Sequence, residues 1–393
     1  VSENEFARSV RTLDQIGEFG LIEQVARPAA QGPAVLLGPG DDAAVVAASD
    51  GRVAASMDLL VEGRHFRRDW SSGYQIGRKA AAQNLADIAA MGARPTALLV
   101  GLSAPGDLEV SWAVDLAAGL ADESALVEAS VAGGDTTGGE QIVIAVTVLG
   151  DLEGRAPVTR SGARPGDLVA IAGELGWSAA GLELLSRGES WRGGVGRSES
   201  KHSQNTQADS VSVRTVLDSS PQSDSSQHGS PQSGSPQSGS PQSYSPQPGS
   251  TGLVSPLGRA KALARHRSPE PPYAAGPAAA LAGATAMLDV SDGLLADLKH
   301  IAVASGVAID LDPALFPIEP ELRELAKHCG IDPEHWFLTG GEDHALAACF
   351  PADQPLPPGW QPIGRVLSGA AAVTVDGTPR PGRQGWDHFS AGG

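Results

Sequence analysis

Seven aspartates in five short motifs carry the chemical potential of this chain. They are Asp41 and Asp42 in Gly-Pro-Gly-Asp-Asp, Asp58 in Ser-Met-Asp, Asp87 in Asn-Leu-Ala-Asp, Asp135 in Gly-Gly-Asp-Thr-Thr, and Asp289 and Asp292 in Asp-Val-Ser-Asp-Gly. Asp41, Asp135 and Asp292 stand directly beside Gly, Ser or Thr, where the backbone bends freely and keeps its own N–H and C=O groups accessible. Carboxylates so placed suit a hard divalent cation, and magnesium commonly divides its shell between a few carboxylates and substrate phosphate. Each motif alone also reads as ordinary structure: Gly40-Asp41-Asp42 as a turn, Asp87 as a solvated helix residue, Gly133-Gly134-Asp135 as a hairpin tip, Asp292-Gly293 as a helix entry. Jointly they read as a magnesium site that holds phosphates.

The usual nucleotide fingerprints are missing. The sequence has no G-x-x-x-x-G-K-[ST] loop, no strand-linked G-x-G-x-x-G and no protein-kinase catalytic loop, and no Gly-x-Ser-x-Gly at a plausible strand-to-helix elbow. If ATP is used, aspartates bridging several magnesium ions must do the phosphate binding that backbone N–H groups and Lys do elsewhere. Three further residues stay open between two roles: His65 as a ligand contact or a packing histidine, Trp386 as a ring contact or a terminal anchor, and Arg160 as an anion contact or a solvated loop residue.

The elements that hold these residues follow from periodicity and punctuation. Residues 75–91 read as a helix with Ile76, Ala80, Leu85, Ile88 and Ala89 near one face, ended by Gly92 and Pro95. Lys79, Gln83 and Asp87 follow i, i+4 spacing, with Asn84 one turn before Asp87, so the helix aims a polar edge at a ligand. Strands are expected at 53–56, 97–101, 127–131 and 142–149, which would put Asp58 and Asp135 just past strand ends. A similar programme follows later: strands at 168–172, 286–290, 307–311 and 345–350, and helices at 294–305 and 321–329. The length of 393 residues allows two domains, expected as 1–150 and 151–393.

From about 190 to 255 the composition changes to Ser, Gln, Gly and Pro, with Pro-Gln-Ser-Gly-Ser starting at Pro231 and Pro236 and recurring at Pro241 with Tyr244 in place of the Gly. Such a segment has too little apolar surface to offset the entropy of ordering it and is expected to be a disordered insertion. Its charges cancel, so the formal net charge of −18 belongs to the rest. That balance argues against non-specific nucleic-acid or anionic-membrane binding, which need basic surfaces. Cys329 and Cys349 are the only cysteines and belong to no Cys-x-x-Cys or Cys/His array, so neither a disulfide framework nor structural zinc is expected. No signal-peptide pattern opens the sequence and no run reaches the ~20 apolar residues of a membrane span. The expectation is a soluble cytoplasmic protein.

In order, Gly17-Glu18-Phe19-Gly20-Leu21-Ile22, Gly40-Asp41-Asp42, Ser56-Met57-Asp58 with Gly63-Arg64-His65-Phe66, 84–92, Gly133-Gly134-Asp135-Thr136-Thr137, Thr159-Arg160-Ser161-Gly162-Ala163, Asp289-Val290-Ser291-Asp292-Gly293 and Gly340-Gly341-Glu342-Asp343 closely resemble the bacterial thiamine-monophosphate kinases. Arg265-His266-Arg267-Ser268-Pro269 is similar to the family segment that resumes after the insertion. The resemblance implies the two-domain α/β (α+β) fold shared with aminoimidazole ribonucleotide synthetase, in a homodimer whose N-terminal sheets pair. It implies ATP as co-substrate, several Mg2+ ions and phosphorylation of thiamine monophosphate to thiamine diphosphate, the last step in making that cofactor.

Residue by residue, the resemblance makes Asp42, Ser56, Asp58, Asp87, Asp135, Asp289 and Asp292 metal ligands, with Met57 offering at most its backbone carbonyl where relatives often have Thr. Gly134, Asp135, Arg160 and Ser291 would touch ATP; His65, Glu342 and Trp386 would hold thiamine monophosphate, with Asp343 the alternative to Glu342. No catalytic base is expected, because the acceptor phosphate is already mostly ionised at neutral pH. The competing readings are another ATP-using enzyme of the same superfamily, aminoimidazole ribonucleotide synthetase foremost, and a non-catalytic cation- or nucleotide-binding scaffold.

Overall fold

The computed structural model describes residues 11–25, 31–37, 44–189 and 255–386. Asp41, Asp42 and positions 190–254 of the expected insertion lie outside the described residues.

In chain order the elements are α1 (Leu13–Val25), β1 (Val35–Leu37), β2 (Val45–Val46), β3 (Ala54–Val61), α2 (Gly73–Ala90), β4 (Arg94–Ala104), α3 (Val110–Ala125), β5 (Ser130–Gly138), β6 (Val143–Asp151), β7 (Leu168–Ala172), α4 (Trp177–Ser186), α5 (Pro256–Arg267), α6 (Ala275–Leu281), β8 (Ala286–Val290), α7 (Leu294–Ser305), β9 (Ala308–Leu311), α8 (Pro320–Cys329), α9 (Pro333–Thr339), β10 (Ala345–Phe350), β11 (Trp360–Leu367) and β12 (Ala372–Val375). They form a mixed α/β fold built on a four-stranded sheet, β3-β6-β4-β5, and a six-stranded sheet, β12-β9-β11-β7-β10-β8, with β1 and β2 as a separate pair.

The six-stranded sheet is covered on both faces, and its central strands are continuous apolar runs for that reason. Side chains alternate between two cores. Val169, Ile171, Leu288, Val290, Ala345 and Ala347 face a core shared with α4, α7, α8 and α9. Ala170, Ala172, Met287, Leu346, Ala348 and Phe350 face a second core, which Ala89 and Ala90 of α2 and Ala279 of α6 complete. Helix α2 therefore belongs to both halves: Ile76, Leu85 and Ile88 pack on the four-stranded sheet, while its last turn packs on the six-stranded one.

The start of α2 is fixed by a capping box, with the Gln75 N–H donating to Ser72 Oγ and the Ser72 N–H donating to Gln75 Oε1. It ends at Gly92, which adopts a left-handed φ of +72°. Helix α3 lies so close along α2 that a Cβ on Gly73, Gly77 or Gly119 would collide with a backbone carbonyl of the opposite helix. Only one face of the four-stranded sheet carries these helices. On the other, Met57, Leu59 and Leu99 are 56%, 50% and 39% exposed.

Two sequence expectations need correction. Asp58 lies within β3, paired opposite Val146, and Asp135 within β5, paired opposite Gly101; neither follows a strand end. The double glycine before Asp135 suggests a break, yet parallel pairing with β4 carries the strand through it. Gly134 is needed because a Cβ there would strike the Val100 carbonyl. Both cysteines are buried free thiols, and burial pushes the Cys349 thiol up to about 12. Among the described residues no helix is long and apolar enough to cross a membrane.

Candidate functional site

Ser56 and Asp58 occupy alternate positions of β3 and share the face turned toward α2. Ser56 Oγ donates to Asp87 Oδ2 at 2.6 Å. One helical turn before Asp87, the fully buried Asn84 accepts the Asp58 N–H at 3.1 Å and donates to the Ala80 carbonyl at 2.9 Å, locking strand to helix. Asp289 arrives from β8, where it is buried and bonded to His344 Nδ1 at 3.1 Å. Burial, then the negative charges of Asp289 and Asp58, push the Asp87 carboxyl up to about 7. Burial lowers the His344 pKa, but its bond to Asp289 and the charges of Asp289, Asp87 and Glu342 outweigh it and hold the imidazole pKa above its usual range. Met57 lies on the opposite, exposed face of β3, so its sulfur points away from these carboxylates.

The loop from β8 into α7 is shaped by Asp297, a residue the sequence reading did not single out. Its Oδ2 accepts the N–H groups of Ser291, Asp292 and Gly293 at 3.1, 3.0 and 3.0 Å. This fixes Ser291 and Asp292 in place, and Gly293 is required by its φ of +130°. Burial and the charges of Asp289 and Asp292 push Asp297 up to about 7. The Trp386 N–H donates to the Asp292 carbonyl at 2.8 Å, laying the final described residues along this loop, and Arg383 stacks over the Trp386 ring at 5.0 Å.

Beside the carboxylates lies a second group built around Lys79 of α2. Its buried ammonium donates to Glu342 Oε2 at 3.0 Å and to the carbonyls of His65 and His266 at 3.2 and 3.4 Å. The His65 ring accepts the Val61 N–H on Nδ1 at 3.0 Å, which places the ring proton of the neutral imidazole on Nε2. Burial opposes the Glu342 charge, but Lys79 and His266 bring its pKa down to about 2. Glu342 and His344 both have left-handed backbones, φ +65° and +54°, a strained geometry held by N–H bonds to the Ser291 and Val290 carbonyls. Asp343 turns the other way. Its two oxygens accept the N–H groups of Gly176 and Ser178 at 2.6 and 2.7 Å, capping α4.

Burial, and then the nearby Lys79 charge, pull His266 down to about 4. A histidine held neutral contributes stability that is fully present above its unfolded pKa near 6.5 and is lost as pH falls from there through about 4. The stability advantage of the wild type over His266→Asn should therefore shrink by roughly 3 kcal/mol between pH 7 and pH 4. Urea unfolding of both proteins at each pH measures it, and a constant difference would show that His266 titrates normally.

The structure thus gathers Ser56, Asp58, Asp87 and Asp289, with Asp292 on the adjoining loop, and His65 and Glu342 around Lys79. It does not bring Asp135 to them. Asp58 belongs to the row of Val146 and Val100 across the sheet, whereas Asp135 follows Gly101, Ala145 and Leu59, the row on the opposite face. Arg160 is exposed and lines a cavity of about 580 Å³ with Lys299, His300 and Gln384. Among the described residues, no three His, Cys, Asp or Glu side chains close into a metal cage on their own. The donor set nevertheless fits magnesium: hard oxygens from Ser56, Asp58, Asp87 and Asp289, with carboxylates that repel one another until a cation or proton intervenes.

Residues 40–152 match the family model of the AIR synthase related protein N-terminal domain. Over 388 residues the chain is 43% identical to the thiamine-monophosphate kinase of Mycobacterium tuberculosis, covering 98% of this chain and 96% of that protein. The chain belongs to the thiamine-monophosphate kinase family. A thiamine-monophosphate kinase of Corynebacterium glutamicum is 35% identical over 385 residues, covering 96% and 95% of the two chains. The solved structure of AaThiL complexed with AMPPCP and TMP superposes with a TM-score of 0.66 at 28% identity, covering 96% of this chain and 99% of that one. The α/β architecture is accordingly the aminoimidazole ribonucleotide synthetase-like fold of this family.

Within that family fold, the sequence reading passed over the groups that orient the site, namely Asp297, His344 and His266, and gave Asn84 and Lys79 no site role. Lys79 and Asn84 carried a signal, since both lie on the polar edge that leads to Asp87. His344 directly follows the Gly-Gly-Glu-Asp motif, but its partner Asp289 is 55 positions away and nothing local announces the bond.

Proposed function

We propose that this protein transfers the γ-phosphoryl group of ATP directly to the phosphate of thiamine monophosphate, giving thiamine diphosphate and ADP. The observation that carries the reading is the meeting of Asp58, Asp87 and Asp289 beside the His65–Lys79–Glu342 group, in a chain of this family. AaThiL, a relative in fold and sequence, was solved with AMPPCP, an ATP analogue, and TMP.

His65, Glu342 and Trp386 are assigned to thiamine monophosphate. The Glu342 carboxylate, kept ionised by Lys79, suits the cationic thiazolium, and the Trp386 indole suits an aromatic ring. Glu342 is preferred to Asp343, whose oxygens are already used in capping α4. Gly134, Asp135, Arg160 and Ser291 are assigned to ATP, with Gly134 and Asp135 reaching it from the edge strand β5. Asp42, Ser56, Asp58, Asp87, Asp289 and Asp292, with the Met57 carbonyl, are assigned to several Mg2+ ions; Asp135, on the other face of the sheet from Asp58, takes that role by family resemblance alone. When bound, these would neutralise repulsion between the two phosphate groups and allow an in-line displacement. The residues then have two tasks, holding the acceptor and fixing the carboxylates, and none need act as a base.

Two organisational proposals accompany this reading. The chain divides into domains 1–150 and 151–393, with 190–255 as an insertion in the second. Two copies pair through the face of the four-stranded sheet opposite α2 and α3, where Met57, Leu59 and Leu99 are exposed among the described residues.

Incubation of the protein with ATP, Mg2+ and thiamine monophosphate should yield thiamine diphosphate, read by fluorescent oxidation and chromatography. ATP hydrolysis without that product, or use of free thiamine in place of the monophosphate, would overturn the reading.

A further inference from the structure

Lys79 is a buried ammonium, only 2% exposed, and its three neighbours come from three distant parts of the chain. The His65 carbonyl belongs to the loop between β3 and α2, the His266 carbonyl to the last turn of α5, and Glu342 to the loop before β10. Three contacts match the three hydrogens of an ammonium group. On Glu342 the contacts of Lys79 and His266 converge on Oε2, while the side chain remains 33% exposed, which leaves Oε1 as the oxygen that can meet a ligand. The backbone beneath that carboxylate is left-handed, so its direction is set by few alternatives and by the partner at its tip.

We propose that Lys79 is a positioning residue for the acceptor substrate: it ties the His65 loop to the Glu342 carboxylate and so presets the oxygen that faces the cationic ring of thiamine monophosphate. The inference rests on the assignment of His65 and Glu342 to that substrate. Lys79 touches no reacting group in this scheme. Its loss should disturb recognition of one substrate while leaving phosphoryl transfer intact, and a buried ammonium used only for stability would have no such selectivity.

The full-length protein is assayed as wild type, Lys79→Met, Lys79→Arg, Glu342→Gln and the Lys79→Met/Glu342→Gln double variant, with KM for each substrate, kcat and Tm. The KM for thiamine monophosphate should rise about twentyfold in Lys79→Met, with the KM for ATP and kcat within about twofold, since misplacement of a binding group is costly where geometry is preset. Lys79→Arg, which keeps the charge, should restore part of the affinity. The double variant should be little worse than either single one, as expected for two groups acting as a unit.

A raised KM in Glu342→Gln with an unchanged KM in Lys79→Met would overturn the role of Lys79 alone. An unchanged KM in Glu342→Gln would overturn the underlying assignment and the inference with it. A Lys79→Met protein whose two KM values rise together, or one that only loses Tm, would show a structural lysine.

Discussion

Asp58→Asn should lower turnover about a hundred- to a thousandfold, the scale seen when one preorganised electrostatic group is removed from a transition state. The amide keeps the shape of the carboxylate and loses the charge that attracts magnesium. Asp58 also adds to the repulsion that raises Asp87, so removing its charge relieves the metal-free protein. Thermal unfolding in the presence of a chelator should accordingly show a Tm equal to or above that of the wild type. Loss of activity together with gain or retention of stability separates a functional carboxylate from a structural one. A Tm that falls as activity falls would place Asp58 among the groups that hold the fold.

Gly77→Val should act through packing. A Cβ at this position would collide with the Leu116 carbonyl and come within 2.9 Å of the Leu120 amide nitrogen, both on α3. The helices meet at backbone distance, so neither can yield by rotating a side chain; they must move apart. The expected cost is about 3 kcal/mol, at the upper end for overpacking. Because α2 also carries Lys79, Asn84 and Asp87, the protein that still folds should lose activity out of proportion to the folded fraction. Urea unfolding and turnover on the same sample test both halves, and full specific activity in the folded fraction would show that α2 can shift without disturbing the site.

What the sequence made legible was local. The period of Ile76, Ala80, Leu85, Ile88 and Ala89 placed α2 within two residues of its true ends, and the polar edge through Asn84 and Asp87 does face Asp58 and Asp289. The apolar runs at 168–172, 286–290 and 345–350 are the neighbouring strands β7, β8 and β10 of a sheet buried on both faces. Helix α3 escaped notice because Gly119 interrupts a pattern of small and apolar residues, although that glycine is there for the close approach of α2.

The site's orientation was not legible, since it depends on contacts between distant positions. Lys79 and Glu342 are 263 positions apart, and the choice between Glu342 and Asp343 turns on which carboxylate caps α4. The face occupied by Asp135 follows from strand register, which a stretch of Gly-Gly-Asp does not reveal.

The transfer we propose is a single displacement, with the acceptor phosphate as nucleophile and no side chain phosphorylated on the way. Its most direct test is the stereochemical course with ATP made chiral at the γ-phosphorus by isotopic oxygen. One in-line transfer predicts inverted configuration at the terminal phosphorus of thiamine diphosphate. Retained configuration would exclude a single displacement, because it requires two successive displacements and a phosphorylated residue between them.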